Sequence, residues 1–406
     1  MSTTYWITNV RLENGYRTEN DKVVATDTEV AHLFIEDGRI AQIAYGDAPQ
    51  TELPVRDARS LLALPSFRDM HIHIDKTYYG GPWKAVTPVK NLLGRLEEES
   101  QLMPKLLPTA KERAEKMLDL LLSAGSTQIR THCNIDPYIG LKNLEATLAA
   151  METFKGKLQC EVVAFPQQGL LRSNQVENIR QALKMGATFV GGVDPATVDQ
   201  NIEKSLATIF ELAVEADAPI DVHLHDPDHL GIFTFKRLAK MTEEAGWQGR
   251  VTISHALALA DISTQEAGDV AEMLAGLGIS ITSTVPVNRA TIPIPLLRDK
   301  GVSVSLGDDS ITDHWSPFGR GDSLEKAGCL AERFRMQDEY SLSQALGFIT
   351  GGKTPLDKEG NRMWPNVGDE ADMVFVHASS AAEAVARRAK RQAVMFRGNV
   401  VSGQLD

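Results

Sequence analysis

Near residue 70 the chain reads DMHIHIDK (Asp69 to Lys76), directly after the apolar run LLALPSF. On a strand, side chains alternate between faces, so His71 and His73 share one face while Ile72 and Ile74 take the other. Two residues apart on a helix, side chains diverge and cannot share a ligand. A strand therefore makes His71 and His73 a candidate chelating pair; the competing reading is two histidines hydrogen-bonded at a strand end. Further along, polar residues close one apolar run after another: His132 and Asn134, Gln167 and Gln168, Asp194, then His223, His225 and Asp226, then His255, Asn288, and finally Asp308 and Asp309. Among these, His71, His73, His223 and Asp308 offer three imidazoles and a carboxylate. Such a set suits one divalent metal ion, Zn²⁺ or Fe²⁺, with a position left for water. Coordination lowers the pKa of water from ~15.7 toward ~7, which supplies a metal-bound hydroxide near neutral pH. Asp308 would also take the proton of that water, and His255 would orient the hydroxide or stabilise developing charge.

Converging these groups requires a particular arrangement of elements. Eight short apolar runs read as strands: LLALPSFRDMHIHID, TQIRTHCNID, CEVVAFPQQG, ATFVGGVDP, PIDVHLHD, RVTISHA, ISITSTVPVN and GVSVSLGDD. Stretches with helical periodicity lie between them, such as AKERAEKMLDLLLSAG, NIEKSLATIFELAVEA and DVAEMLAGLG. This alternation predicts an α/β fold, a (β/α)₈ TIM-like barrel, with an open doubly wound sheet as the alternative. A barrel demands that functional groups sit at the C-terminal strand ends, where His71, His73, His132, His223, His225 and His255 all fall. Strand-like pieces outside the barrel, YWITNVRL and HLFIEDGRIAQIA at one end, ADMVFVHA and QAVMFRGNVVSG at the other, predict a small β-sandwich domain built from both chain ends. The expected division is residues 1–64 with 355–406 for that domain and 65–354 for the barrel.

Composition narrows the function class. The chain has 406 residues, 43% hydrophobic and 24% charged, enough to bury a large core. With 42 Lys and Arg against 54 Asp and Glu, its formal net charge is −12, which argues against nucleic acid or an anionic membrane as partner. A small polar molecule fits better. Three scattered cysteines, Cys133, Cys160 and Cys329, form no Cys-x-x-Cys pair and suggest reduced thiols. No secretory leader and no run of ~20 apolar residues is evident, so a cytoplasmic protein is expected. A homo-oligomer stays compatible with all of this.

The segments HIHIDK, IRTHCNID, VVAFPQQG, IDVHLHD, TISHA and GDDSITDHWSPFGRGDSLE occur in an order that resembles the amidohydrolase superfamily, and within it the cytosine deaminase-like branch, over nearly the full chain. The resemblance implies a barrel with one metal held by His71, His73, His223 and Asp308. It also implies a catalytic His255, a substrate-binding amide at Gln167, and Asp309 and Trp315 near the substrate. Binuclear relatives carry a bridging lysine or acidic group on the fourth strand; ATFVGGVDP has no lysine, which favours one metal, and Asp194 is its one acidic group. Where the branch places a proton-shuttling glutamate three residues after the fifth-strand histidine, this chain has Asp226. The expectation is that Asp226 exchanges protons with a differently seated substrate, or that His225 or His229 shares the task.

The pattern His-x-His-x-Asp-Lys also resembles N-isopropylammelide isopropylaminohydrolases of the same branch, which implies that Lys76 hydrogen-bonds a ring carbonyl or an anionic intermediate. His314, beside Trp315, is expected to shape the pocket. The His-x-Glu and Pro-Cys-x-x-Cys signature of the other zinc deaminases, a phosphate-binding loop and a Gly-x-Ser-x-Gly elbow are all missing. The combined expectation is a metal-dependent aminohydrolase or deaminase that replaces an exocyclic amino or alkylamino group of a nitrogen heterocycle, cytosine- or triazine-like, with oxygen. The alternatives are hydrolysis of a cyclic amide and a superfamily member without turnover.

Overall fold

The computed structural model describes residues 4–406. Eight strands run parallel and pair in chain order: Phe67–Ile72, Ser126–Asn134, Gln159–Phe165, Phe189–Val193, Ile220–His223, Val251–Ser254, Ser280–Ser283 and Val304–Leu306. They are called the first to eighth barrel strands below. A bridge between Ile72 and Asp309 brings the eighth strand end back to the first and nearly closes the barrel. Closure is tight there: a Cβ on Gly307 would lie 2.6 Å from His71 atoms, so only glycine fits. β-Branched runs such as IDVH and VTIS are buried throughout, as strands covered on both faces must be.

Helices follow the strands where periodicity predicted them, including Ala110–Ser123, Ile202–Ala216 and Thr264–Gly276. Polar caps set their starts: the Asn201 side chain accepts from Lys204 N, and that of Ser263 accepts from Glu266 N. Among the helices that no quoted stretch foresaw, one bears on the barrel mouth. Leu92–Leu106 lies in the long connection between the first and second strands, capped by Asn91, and its buried face carries Arg95, Leu96, Glu99, Ser100 and Met103. Among the described residues no helix is long and apolar enough to cross a membrane.

The run LLALPSFRDMHIHID, expected as one strand, is two. Leu62–Pro65 pairs antiparallel with Met373–Val376 in a separate sheet, and the barrel strand starts at Phe67. Pro65 has no N–H to continue a ladder, so the chain changes sheets at Ser66. That separate sheet comes from both chain ends. Its path is Asn399–Gly403, Arg391–Phe396, Met373–Val376, Leu62–Pro65, Tyr5–Glu19, Lys22–Glu36, Arg39–Tyr45, with Val55–Asp57 beside Tyr5–Glu19. Its hydrogen bonding is continuous, so the layer expected as a sandwich is one sheet in its pairing. Ile40 and Met395, five strand steps apart on that path, nevertheless share one core cluster with Tyr5, Ile7, Leu33 and Phe375. A flat sheet would separate them by roughly 24 Å, yet the turn at Gly38 packs on the turn at Arg397 and Gly398, where a Cβ on Gly38 would lie 3.1 Å from the Arg397 carbonyl oxygen, so the sheet folds over itself.

Candidate active site

The first strand directs His71 and His73 into the barrel mouth, and their hydrogen bonds define which ring nitrogen is free. Ser254 Oγ donates to Asp221 Oδ1 at 2.6 Å and therefore accepts from His71 Nδ1 at 2.8 Å. His73 Nδ1 donates to the His132 carbonyl at 3.0 Å. Both Nε2 lone pairs are left to face Asp309 Oδ1, at 3.5 Å from His71 and 3.3 Å from His73. Fixing the second imidazole nitrogen in this way is how proteins orient metal-ligating histidines. On the fifth strand, His223 is buried with neither ring nitrogen hydrogen-bonded, and its ring stacks on Phe165 at 4.1 Å. One nitrogen each of His71, His223 and His255 lie within 4.8 Å of one another, as do those of His71 and His73 with an Asp309 oxygen.

The electrostatics suit ligands. Burial, reinforced by Lys76, lowers the His73 pKa to about 4. Burial and mutual repulsion hold His223 and His255 well below the usual histidine value. Burial works against an ionised Asp309, but the His71 and His73 rings beside it, with His255, outweigh burial and hold the carboxyl well below its usual value. Near neutrality these groups are neutral imidazoles and a carboxylate, the states a metal requires. Two of the residues store backbone strain: His255 and Asp309 have φ of 71° and 64°, a region costly for non-glycine residues and frequent at functional sites.

Asp308, expected as the carboxylate ligand, is not the one beside the imidazoles. It is buried, its N–H donates to Asp69 Oδ1 at 3.2 Å, its Oδ1 lies 3.9 Å from Lys326 Nζ, and its Oδ2 has no hydrogen-bond partner. One of the two adjacent aspartates faces the imidazoles, and a left-handed backbone at that residue sets its direction. That one is Asp309, which was expected near the substrate.

A similar exchange occurs after the fifth strand. The Asp226 carboxylate accepts from Thr197 Oγ1 at 2.6 Å and Ala196 N at 3.2 Å, so it ties down the loop after the fourth strand. His225 faces the cluster instead, with its ring 4.4 Å from that of His255. Asp194 orients it, accepting from His225 N at 2.6 Å and pairing with Nδ1 at 2.9 Å. Burial would lower the His225 pKa, but the Asp194 carboxylate raises it. Asp194 is thus engaged with His225 rather than grouped with the ligand set. His229 is exposed and faces Glu266 at 3.6 Å, away from the site. Solvent reaches 32% of the Asp309 side chain and 38% of that of His225, so both line the floor of a cleft.

The cleft has a polar wall. Lys76 Nζ donates to Gln167 Oε1 at 2.8 Å and lies 5.4 Å from the Trp315 ring and 5.9 Å from that of Phe165. Lys76, Gln167 and Trp315, expected to bind substrate, are therefore brought together. Gln168 turns away and donates to the Leu96 carbonyl. His132 lies buried within the barrel, its ring 4.0 Å from His71, and Asn288 sits on an exposed loop. Sequence reasoning missed Glu99, Phe165, Ser254 and Asp221. For Glu99 the signal was available: in LEEESQLM it falls on the same helical face as Leu96 and Met103.

Comparison with known proteins follows this geometry. The sequence profile described as "Amidohydrolase family" matches residues 54–404. The "Uncharacterized protein YahJ" of Escherichia coli (strain K12) is 42% identical over 408 residues, covering 99% of this chain and 88% of that protein. The crystal structure of N-isopropylammelide isopropylaminohydrolase from Burkholderia multivorans superposes with a TM-score of 0.86 at 29% identity, covering 98% of each chain. That of 5-methylcytosine deaminase from Klebsiella pneumoniae gives 0.78 at 26% identity, covering 98% of this chain and 97% of that one.

Proposed function

The chain belongs to the amidohydrolase family, and from that premise we propose that it hydrolyses an exocyclic carbon–nitrogen bond of a nitrogen heterocycle, replacing an amino or alkylamino group on a triazine- or cytosine-like ring with oxygen. The observation that carries this reading is the meeting, in one cleft, of an imidazole–carboxylate floor with a wall in which Lys76 donates to Gln167 at 2.8 Å beside the Trp315 ring.

One divalent ion, zinc or iron, fits the floor. His71 Nε2 and both His223 nitrogens are buried without a hydrogen bond, and an ion would complete His71 Nε2 and one nitrogen of His223. His71, His73, His223 and Asp309 would hold it, with Asp309 in the role the sequence assigned to Asp308. Bound there, such an ion supplies Lewis acidity and lowers the pKa of water. His255 would hold a proton at its ring nitrogen during the reaction, a task the sequence reading gave to Asp308. His225, oriented by Asp194, delivers a proton to the ring nitrogen or the departing amine, the task first given to Asp226. Water thereby contributes its oxygen and one proton to the ring, which becomes a lactam, and its other proton to the leaving amine. Gln167 and Lys76 hydrogen-bond ring substituents, and the Trp315 indole packs on the ring.

On the same reading, residues 1–64 and 355–406 form a composite β domain around the 65–354 catalytic barrel. Three free cysteines suit a cytoplasmic setting. The test offers zinc- or iron-loaded protein a panel of aminotriazines, aminopyrimidines, their N-alkyl forms and cyclic amides, and scores ammonia, alkylamine and ring opening together. Metal-dependent amine release is expected. Ring opening without amine would make it a cyclic amide hydrolase, and silence across the panel would refute the substrate class.

A further inference from the structure

Glu99 sits in the middle of the helix Leu92–Leu106, fully buried, on a face it shares with Leu96 and Met103. An apolar residue would dock that helix with less desolvation, since a buried charge is expensive unless well partnered. Glu99 is partnered from three other parts of the chain. Its Oε2 accepts from His314 Nε2 at 2.6 Å and from Trp315 Nε1 at 2.7 Å, both in the loop after the eighth strand. Its Oε1 accepts from Asn134 Nδ2 at 2.5 Å, at the end of the second strand. Lys76 Nζ, just past the first strand, stands 4.0 Å from Oε2, beyond hydrogen-bond reach but close enough to balance charge. Burial alone would raise the Glu99 pKa, but Lys76, His314 and Trp315 lower it to about 2, so the group is a carboxylate at every pH of interest.

None of these contacts belongs to the imidazole floor. Trp315 and Lys76 belong to the wall, and Glu99 touches the first directly and neutralises the second. We propose that Glu99 is a positioning residue: its carboxylate locks the Trp315 indole and balances the buried Lys76 ammonium, so that the wall holds one arrangement and the substrate ring one orientation. This rests on the reading above that Lys76, Gln167 and Trp315 bind the ring. Glu99 also makes the helix Leu92–Leu106 part of the site, since that helix carries the latch for the loop after the eighth strand.

The test uses full-length, zinc-loaded protein labelled with nitrogen-15 tryptophan. The Trp315 indole N–H signal is identified by its loss in Trp315→Phe. It is expected downfield, as for a donor to a carboxylate, and to move upfield in Glu99→Gln while zinc content stays unchanged. On the best panel substrate, Glu99→Gln is expected to lose ~10–100-fold in kcat/KM, carried mainly by a higher KM. In a Lys76→Met background the same change should cost less than about threefold more, because its effect acts partly through Lys76. A merely structural glutamate would lower Tm and leave the KM of the folded enzyme where it was. An unmoved indole signal, an unchanged KM, or full additivity with Lys76→Met would overturn the proposal. If Glu99→Gln does not fold, the double variant, which removes both buried charges together, gives the same indole reading. If no panel compound is turned over, the functional reading fails by itself and the indole signal decides the role of Glu99.

Discussion

The floor and the wall of the cleft satisfy their buried polar groups in opposite ways. On the floor, His71 and His223 keep buried nitrogens without hydrogen bonds, while His73 and His255 are pushed toward the neutral form. In the wall, the Glu99 carboxylate receives three hydrogen bonds and Lys76 finds Gln167. An unsatisfied buried acceptor costs about 1–3 kcal/mol, so a native fold retains several together only where something else completes them. The floor offers those nitrogens to an ion. The wall pairs its charged groups within the protein and gains from rigidity, while Asn134 Oδ1 and His314 Nδ1 behind it stay buried without a partner.

The sharpest way to break this comparison is to exchange the two aspartates. Asp309→Asn removes the carboxylate that faces His71 and His73, and should abolish metal retention and lower kcat/KM by ~10³-fold or more. Asp308→Asn changes a carboxylate that is not grouped with those imidazoles and should keep stoichiometric metal, measured by elemental analysis after dialysis. Loss of metal in Asp308→Asn with retention in Asp309→Asn would reverse the assignment.

A smaller effect is expected one layer below the floor. Ser254→Ala frees His71 Nδ1 from the link to Asp221, so the ring loses its fixed tautomer. Metal affinity, read by competition with a chromophoric chelator, should fall ~10–100-fold with little change in Tm. Unaltered affinity would mean that packing alone orients His71.

A control outside the cleft acts on stability and leaves the site untouched. Glu13, in the terminal sheet, also has a buried oxygen without a partner, but no cluster of ligands around it. Burial raises its pKa from 4.5 to about 7. A raised folded-state pKa means that its contribution to stability is fully present below pH 4.5 and is lost as pH rises through 7. Glu13→Gln avoids that loss, so its stability relative to wild type should improve by up to about 3 kcal/mol between pH 4.5 and 8. Urea denaturation at both pH values measures it. A difference that does not change with pH would show that Glu13 does not take up a proton on folding.

Much of the fold could be read from the residues. Apolar runs closed by histidines and acids, separated by helical periodicity, correspond to the eight parallel strands, because strands covered on both faces must be continuously apolar. The break at Pro65 was present in the run itself as a missing N–H, yet whether the chain would bend or change sheets there depended on Met373–Val376, some 300 residues away in the sequence. Glu99 was overlooked because a glutamate in a helix usually faces solvent, and only the donors from Asn134, His314 and Trp315 give it a reason to be buried.

What the sequence determined by itself was the set of chemical groups and the strands that carry them. His71, on the first strand, and His73, one residue past its end, face the same Asp309 oxygen, as a period of two predicts. Tertiary structure decided between neighbours. Asp308 or Asp309, and His225 or Asp226, are adjacent pairs just beyond strand ends, where the periodicity no longer applies. Contact of Gly307 with His71, the left-handed backbone at Asp309, and the grip of Asp194 on His225 select which member of each pair enters the cleft. Side-chain direction in such places is set by what the turn packs against, and that is known only once the barrel has closed.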